Sequence, residues 1–201
     1  MSDPFRPNRR RFLSVALATA GVSALARPVL AQGREAAILA AARAGLERAG
    51  GRIAHRDIVG VADFGLASRE PRLHLVDVEA GKVESLLVAH GRGSDPAHTG
   101  WLKTFSNAAG SEATSEGCYL TGDYYVGQHG RSMRLVGLEA TNSNAEARGI
   151  VVHGAWYVGP EVVREHGVLG RSEGCLALSP SDLPKVLARL GPGRLIVARK
   201  L

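Results

Sequence analysis

From Asp57 onward the chain is cut into short apolar runs by glycine, aspartate and asparagine, and this punctuation constrains the fold more than any other feature. The runs "DIVGVADF", "RLHLVDVEAGKVESLLVAHG", "GCYLTGDYYVG" and "SMRLVGLE" are β-branched or aromatic and too often interrupted to be helices. They read as strands, and "EAGK" between two alternating stretches predicts a hairpin. "GRLIVARKL" reads as a final strand. Helical signals occur at two places. Arg34 to Ala49 is rich in alanine and leucine and is stopped by Gly50-Gly51. "SPSDLPKVLARLG" offers serine or aspartate caps and then Leu183, Val186, Leu187 and Leu190 at helical spacing. The expected class is mainly β with peripheral helices, an α+β domain.

The N-terminus differs in kind. Arg9 and Arg10 precede Phe12-Leu13, an uncharged apolar run extends to Ala26, and Val29-Leu30-Ala31 forms a small-x-small site. A basic region, a short apolar region and such a site describe an export signal over residues 1–31, and the paired arginines suggest the twin-arginine route. The run is too short to span a bilayer comfortably, so no stable membrane span is expected after cleavage. The chain holds 25 basic and 19 acidic residues, but residues 1–31 hold five arginines against one aspartate, leaving 20 against 18. Its basicity therefore belongs mostly to the signal and gives no reason to expect nucleic-acid binding. Residues 32–201 suffice for one domain with its own core. Within them "HGRGSDPAHTGWLKTFSNAAGSEATSEG", His90 to Gly117, is a long polar loop of the kind that carries function, with Trp101 beside Lys103 a candidate lid.

The tetrapeptide "SEGC" occurs twice, at Ser115–Cys118 and Ser172–Cys175, and holds both cysteines of the chain. In an oxidising compartment a disulfide between them is a serious alternative. Their surroundings differ, however. Cys118 runs on into "YLTGDYYVG", a strand, whereas Cys175 leads through an apolar step into a capped helix, 22 residues after His153 at the end of "GIVV", which reads as a buried strand from Gly149 to Val152. A thiol becomes a nucleophile when an imidazole takes its proton, which marks Cys175 and His153 as a candidate pair. Gly174 lets the backbone turn so that the N–H groups of Gly174 and Cys175 can face a developing oxyanion. Cys118 reads as a strand-edge or core residue. No histidine pair has the spacing of a helical zinc site, and no metal or cofactor is called for.

"GRSEGCLAL", together with "RGIVVHGAWYV", "HGRGS", "FSN" and "HGRSMRLVGLE", resembles the murein L,D-transpeptidase catalytic domains of the YkuD type, most closely the YkuD-like 2 subfamily. The resemblance covers most of the chain from about Ser85 to Leu178. It implies a β-sandwich-like catalytic domain and a periplasmic, cell-envelope enzyme, expected as a monomer, that acts on peptidoglycan stem peptides. It further implies Cys175 as nucleophile and His153 as its base, held by a backbone carbonyl, with Arg171 and Ser172 shaping the wall. Gly154, Trp156 and His90 are carried as substrate-binding candidates, and Tyr157 as a further aromatic that could flank the substrate. His166 reads as a solvated helix end. Two positions depart from the main family: Glu173 between serine and glycine, and Ala177 where an arginine often stands, which leaves the substrate's carboxylate without an assigned partner. A carboxylate beside the thiolate would raise the thiol pKa. Glu173 is therefore expected to point away or to meet an incoming amine. The competing readings are a carboxypeptidase using the same cysteine and a non-catalytic domain closed by a Cys118–Cys175 disulfide.

Overall fold

The computed structural model describes residues 21–201, with side chains from residue 32 onward. The arginine pair and most of the apolar run of the expected export signal lie outside the described residues. The chain divides into Met1–Arg34 and Glu35–Leu201, and the second unit carries the sheet and the site. Among the described residues no helix is long and apolar enough to cross a membrane.

Eight strands form one mixed sheet: β1 (Ile58–Asp63), β2 (Leu73–Asp77), β3 (Lys82–Leu86), β4 (Gly117–Gly127), β5 (Gly130–Gly137), β6 (Val151–Gly154), β7 (Leu176–Leu178) and β8 (Leu195–Arg199). Their spatial order is β3-β2-β1-β8-β4-β5-β6-β7, with β1–β8 and β6–β7 parallel and the other pairs antiparallel. The expected hairpin joins β2 to β3. Beyond β3 the chain bridges Ala89 to Ala177 and Gly91 to Ser172, so the outer edge of β7 is covered rather than open.

Period-two alternation sorts the side chains into layers. Met133, Val152, Leu176, Leu178, Ile196 and Tyr119 face one buried cluster, which α3 (Leu183–Leu190) fills with Leu183, Val186, Leu187 and Leu190. The start of α3 is tied by Ser179, whose Oγ accepts from the backbone N–H of Asp182 at 3.1 Å and donates to its carboxylate at 2.7 Å. The opposite face of β1, β8 and β4 packs Val59, Val61, Val197 and Cys118 against α1 (Gly21–Ala49). That helix starts earlier than its composition suggested: alanine and leucine favour helix on both sides of Arg34. Gly45, the one apparent breaker, lies where α1 meets the sheet; a methyl group there would come within 2.5 Å of Val197 Cγ2. Glycine lets the helix approach at this point.

Two elements were not delimited from the sequence. The segment after β6 contains α2 (Pro160–His166), started by a proline in its first turn and ended by Gly167 at φ 73°. His166 is at its exposed end, as expected. The apolar step after Cys175 is β7, too short for a periodic signal but secured by its register with β6.

Candidate active site

Strand register brings the two expected catalytic side chains together. Val152 pairs with Leu176 and His153 with Ala177. Val152 and Leu176 both enter the interior cluster, so their neighbours His153 and Cys175 emerge on the other face, on adjacent strands and one diagonal step apart. Both line a cavity of about 670 Å³ together with Val151, Tyr157, Ser172 and Glu173, a size that fits a peptide ligand.

His153 is 2% exposed, and its Nδ1 lies 2.9 Å from the carbonyl oxygen of Gly154. A carbonyl only accepts, so Nδ1 carries the proton and Nε2 is left as the basic nitrogen. Among the described residues the imidazole is held by a backbone carbonyl and by no acidic side chain. Burial pushes its pKa down; the Gly154 carbonyl partly opposes this and the charge of His129 adds to it. His129 sits at the tip of the β4–β5 hairpin and stacks on His153 with ring centroids 4.2 Å apart and planes at 22°. The hairpin thus clamps the imidazole from outside the sheet.

The Cys175 thiol donates to the Gly149 carbonyl at an S···O distance of 3.6 Å. Burial raises its pKa, and the carboxylate of Glu173 adds to that; the backbone N–H of Val151 and the guanidinium of Arg148 pull the other way. Glu173 therefore does not point away. It lines the cavity, with its side chain 72% exposed and paired to Arg92 Nη2 at 3.2 Å. Arg92 also carries a two-pronged ion pair with Glu112, so its single charge is shared between two carboxylates and offsets that of Glu173 only in part.

The loop before Cys175 is tightly tied. Ser172 Oγ donates to the carbonyl of Cys175 at 2.7 Å and accepts from the N–H of Gly174 at 3.2 Å. That second bond corrects the expectation for Gly174: its N–H is spent inside the loop and is not free for an oxyanion. Glycine is required there for another reason. Its φ is +118°, and a methyl group would come within 2.9 Å of the Ala113 carbonyl oxygen. Arg171 lines the cavity and donates through Nη1 to the carbonyls of Asp95 and Pro96.

Four further candidates are placed otherwise than expected. His90 is 1% exposed and outside the cavity; its Nδ1 accepts from Arg72 Nη2 at 2.6 Å, and its Nε2 lies 3.6 Å from Asp95. A buried cation needs paired or neutral acceptors, and Arg72 finds them in His90 and in the carbonyls of Val88 and Leu66. The contribution of His90 to the site is its main chain, which accepts the N–H of Ser172 at 3.0 Å. Trp156 is 83% exposed and lies off the cavity, edge-on to Tyr157, which does line it. Gly154 contributes its carbonyl and no lining surface. The loop carrying Trp101 is anchored, with the N–H groups of Lys103 and Thr104 both donating to Ser94 O, which makes it a poor lid.

Both cysteines are free. Cys118 is buried in the α1 cluster, with Arg48 Nη2 3.4 Å from its sulfur. Strands β4 and β7 are three places apart in the sheet, roughly 14 Å by ordinary strand spacing. A disulfide needs Cα atoms within about 7 Å, so the disulfide-bonded reading is overturned. The first "SEGC" does serve the site, through Ser115. Its Oγ accepts from Arg148 Nη1 at 2.7 Å, and Arg148 lines the cavity beside Cys175. Neither Arg148 nor His129 was singled out from the sequence. Both reach the site through tertiary contacts that leave no local spacing, although "HGRSMRLVGLE" held His129 in plain view.

Residues 31–198 match the family model of the L,D-transpeptidase catalytic domain, YkuD-like 2. The chain belongs to this family. No curated protein matches the sequence. Among solved structures, similarity extends to an L,D-transpeptidase from Mycobacterium smegmatis (16% identity, TM-score 0.43, 71% of this chain and 58% of that one). It extends also to an L,D-transpeptidase from Mycobacterium tuberculosis (16%, 0.46, 72% and 58%) and to the helical cell shape determining protein Pgp2 from Campylobacter jejuni (14%, 0.45, 71% and 47%). The chain thus spans less than two thirds of the length of these proteins.

Proposed function

We propose that the protein is a cysteine acyltransferase that joins peptidoglycan stem peptides, exported to the cell envelope where that substrate lies. The supporting observation is the delivery of Cys175 and His153 from adjacent parallel strands into one cavity, with the histidine tautomer already fixed for a base.

In this mechanism His153 Nε2 takes the thiol proton as Cys175 sulfur attacks the carbonyl carbon of a donor-stem residue. The developing oxyanion faces the backbone N–H of Cys175. The C–N bond to the following residue breaks, His153 returns its proton to the leaving amine, and a thioester remains. An amine of a second stem attacks the thioester, His153 takes the amine proton, and the thiol is re-formed. With water as acceptor the same steps give a carboxypeptidase. The exposed carboxylate of Glu173 at the cavity rim is the group we assign to the incoming amine.

The test is incubation with purified stem-containing muropeptides and mass analysis of the products. Cross-linked dimers from the wild type that are missing with Cys175→Ser and His153→Ala support the reading. Trimmed monomers alone would move the assignment to a carboxypeptidase, and unchanged muropeptides would reject both.

A further inference from the structure

Three arginines line the cavity, and two of them are already occupied. Arg92 is bound to the carboxylates of Glu112 and Glu173. Arg171 is turned onto the carbonyls of Asp95 and Pro96. Arg148 differs from Arg92 in forming no ion pair among the described residues, and from Arg171, whose partners are also neutral carbonyls, in acting directly on the Cys175 thiol. It is partly buried, and its guanidinium is fixed by neutral acceptors only, Ser106 O at 2.8 Å, Ser115 Oγ at 2.7 Å and Ala113 O. Its Nη2 lies 3.2 Å from where a methyl group on Gly174 would stand, which puts the charge against the residue preceding the nucleophile. A partly desolvated guanidinium held rigidly and left without a counter-charge is a receptor for an anion, and its planar fork suits a carboxylate.

We propose that Arg148 binds the carboxylate of the donor substrate and so sets which carbonyl is presented to Cys175. This deepens the acyltransferase reading. Two segments distant in sequence build the receptor: the loop before β6 supplies the arginine, and the long loop supplies Ser106, Ala113 and, from the first "SEGC", Ser115. Burial lowers the arginine pKa, while the Cys175 thiolate and Tyr119 act to raise it. The attraction to the thiolate is what an arriving carboxylate would share.

The test avoids the natural substrate, so its failure is distinguishable from failure of the acyltransferase reading. Cys175 is alkylated with iodoacetate, an anion, and with iodoacetamide, its neutral counterpart, at pH 7 and low salt, the adduct being located by peptide mass mapping. The ratio of the two rates cancels the thiolate fraction. It is expected to be roughly five- to tenfold higher in the native protein than in the urea-unfolded chain. It should collapse toward the unfolded value in Arg148→Gln and largely persist in Arg148→Lys, Arg92→Gln and Arg171→Gln. A native ratio equal to the unfolded one overturns the proposal whether or not any variant folds. So does a ratio abolished by Arg92→Gln or Arg171→Gln, or a folded Arg148→Gln with the wild-type ratio.

Discussion

At the scale of single residues, the chemistry turns on how the protonation of Cys175 and His153 is set. Burial raises the thiol above its ordinary 9.0 and lowers the imidazole below its ordinary 6.5, so both favour their neutral forms. The resting site is then a neutral thiol beside a neutral base, and the proton moves during attack. The sign follows: a lowered histidine pKa keeps the base competent as pH falls past 6.5. The acid limb of the pH–rate profile for acylation should have its midpoint below 6.5, and iodoacetamide alkylation should still be climbing at pH 9. A plateau of alkylation near pH 6 would mean a preformed thiolate–imidazolium pair and contradict this account. Gly174 allows an equally local test. Alanine there must adopt φ +118° and crowd the Ala113 carbonyl, so Gly174→Ala should lose about 2 kcal/mol of stability and most of its activity, measured by thermal melting and by acylation rate. Cys118 separates fold from catalysis. Serine in its place buries a hydroxyl at 0% exposure and should cost about 1–2 kcal/mol while leaving the acylation rate of the folded protein unchanged.

At the scale of elements, the β4–β5 hairpin links the fold to the base. The hairpin's lower end is flanked by β8 and β6, while its tip, still a paired β4–β5 ladder as far as Gly127 and Gly130, extends beyond those neighbours to place Tyr125, Gln128 and His129 on the cavity. Because His129 is exposed, His129→Ala should leave the melting temperature nearly unchanged yet lower the acylation rate roughly tenfold through a loosened His153 ring. Equal rates would reduce the stacking to an incidental contact. Helix α3 behaves in the opposite way. Val186 is fully buried in the central cluster, and Val186→Ala should cost about 2 kcal/mol in urea unfolding with little change in the rate per folded molecule.

At the scale of the whole molecule, legibility followed the range of the interaction. Strands β1 to β6 and β8 were readable because their apolar runs and turns are local, and His153 and Cys175 because each closes a short, recognisable segment. Strand β7 is too short to announce itself, and only pairing with β6 makes it a strand. Arg148 could not be found from spacing, since its partners lie 33 to 42 residues away in sequence. His90 was misplaced because a histidine after a strand looks the same whether it meets solvent or a buried arginine. The repeat of "SEGC" was informative in an unexpected way: one copy holds the proposed nucleophile, and the other lends a serine to the arginine beside it. The central claim remains that Cys175, activated by His153, is the acylated residue. It is tested most directly by intact mass after incubation with a carbapenem, a strained lactam that acylates an activated thiolate, on the wild type, Cys175→Ser and Cys118→Ser. The account predicts one stable adduct on the wild type and on Cys118→Ser and none on Cys175→Ser. An adduct that persists on Cys175→Ser, or one that is lost with Cys118→Ser, would contradict it.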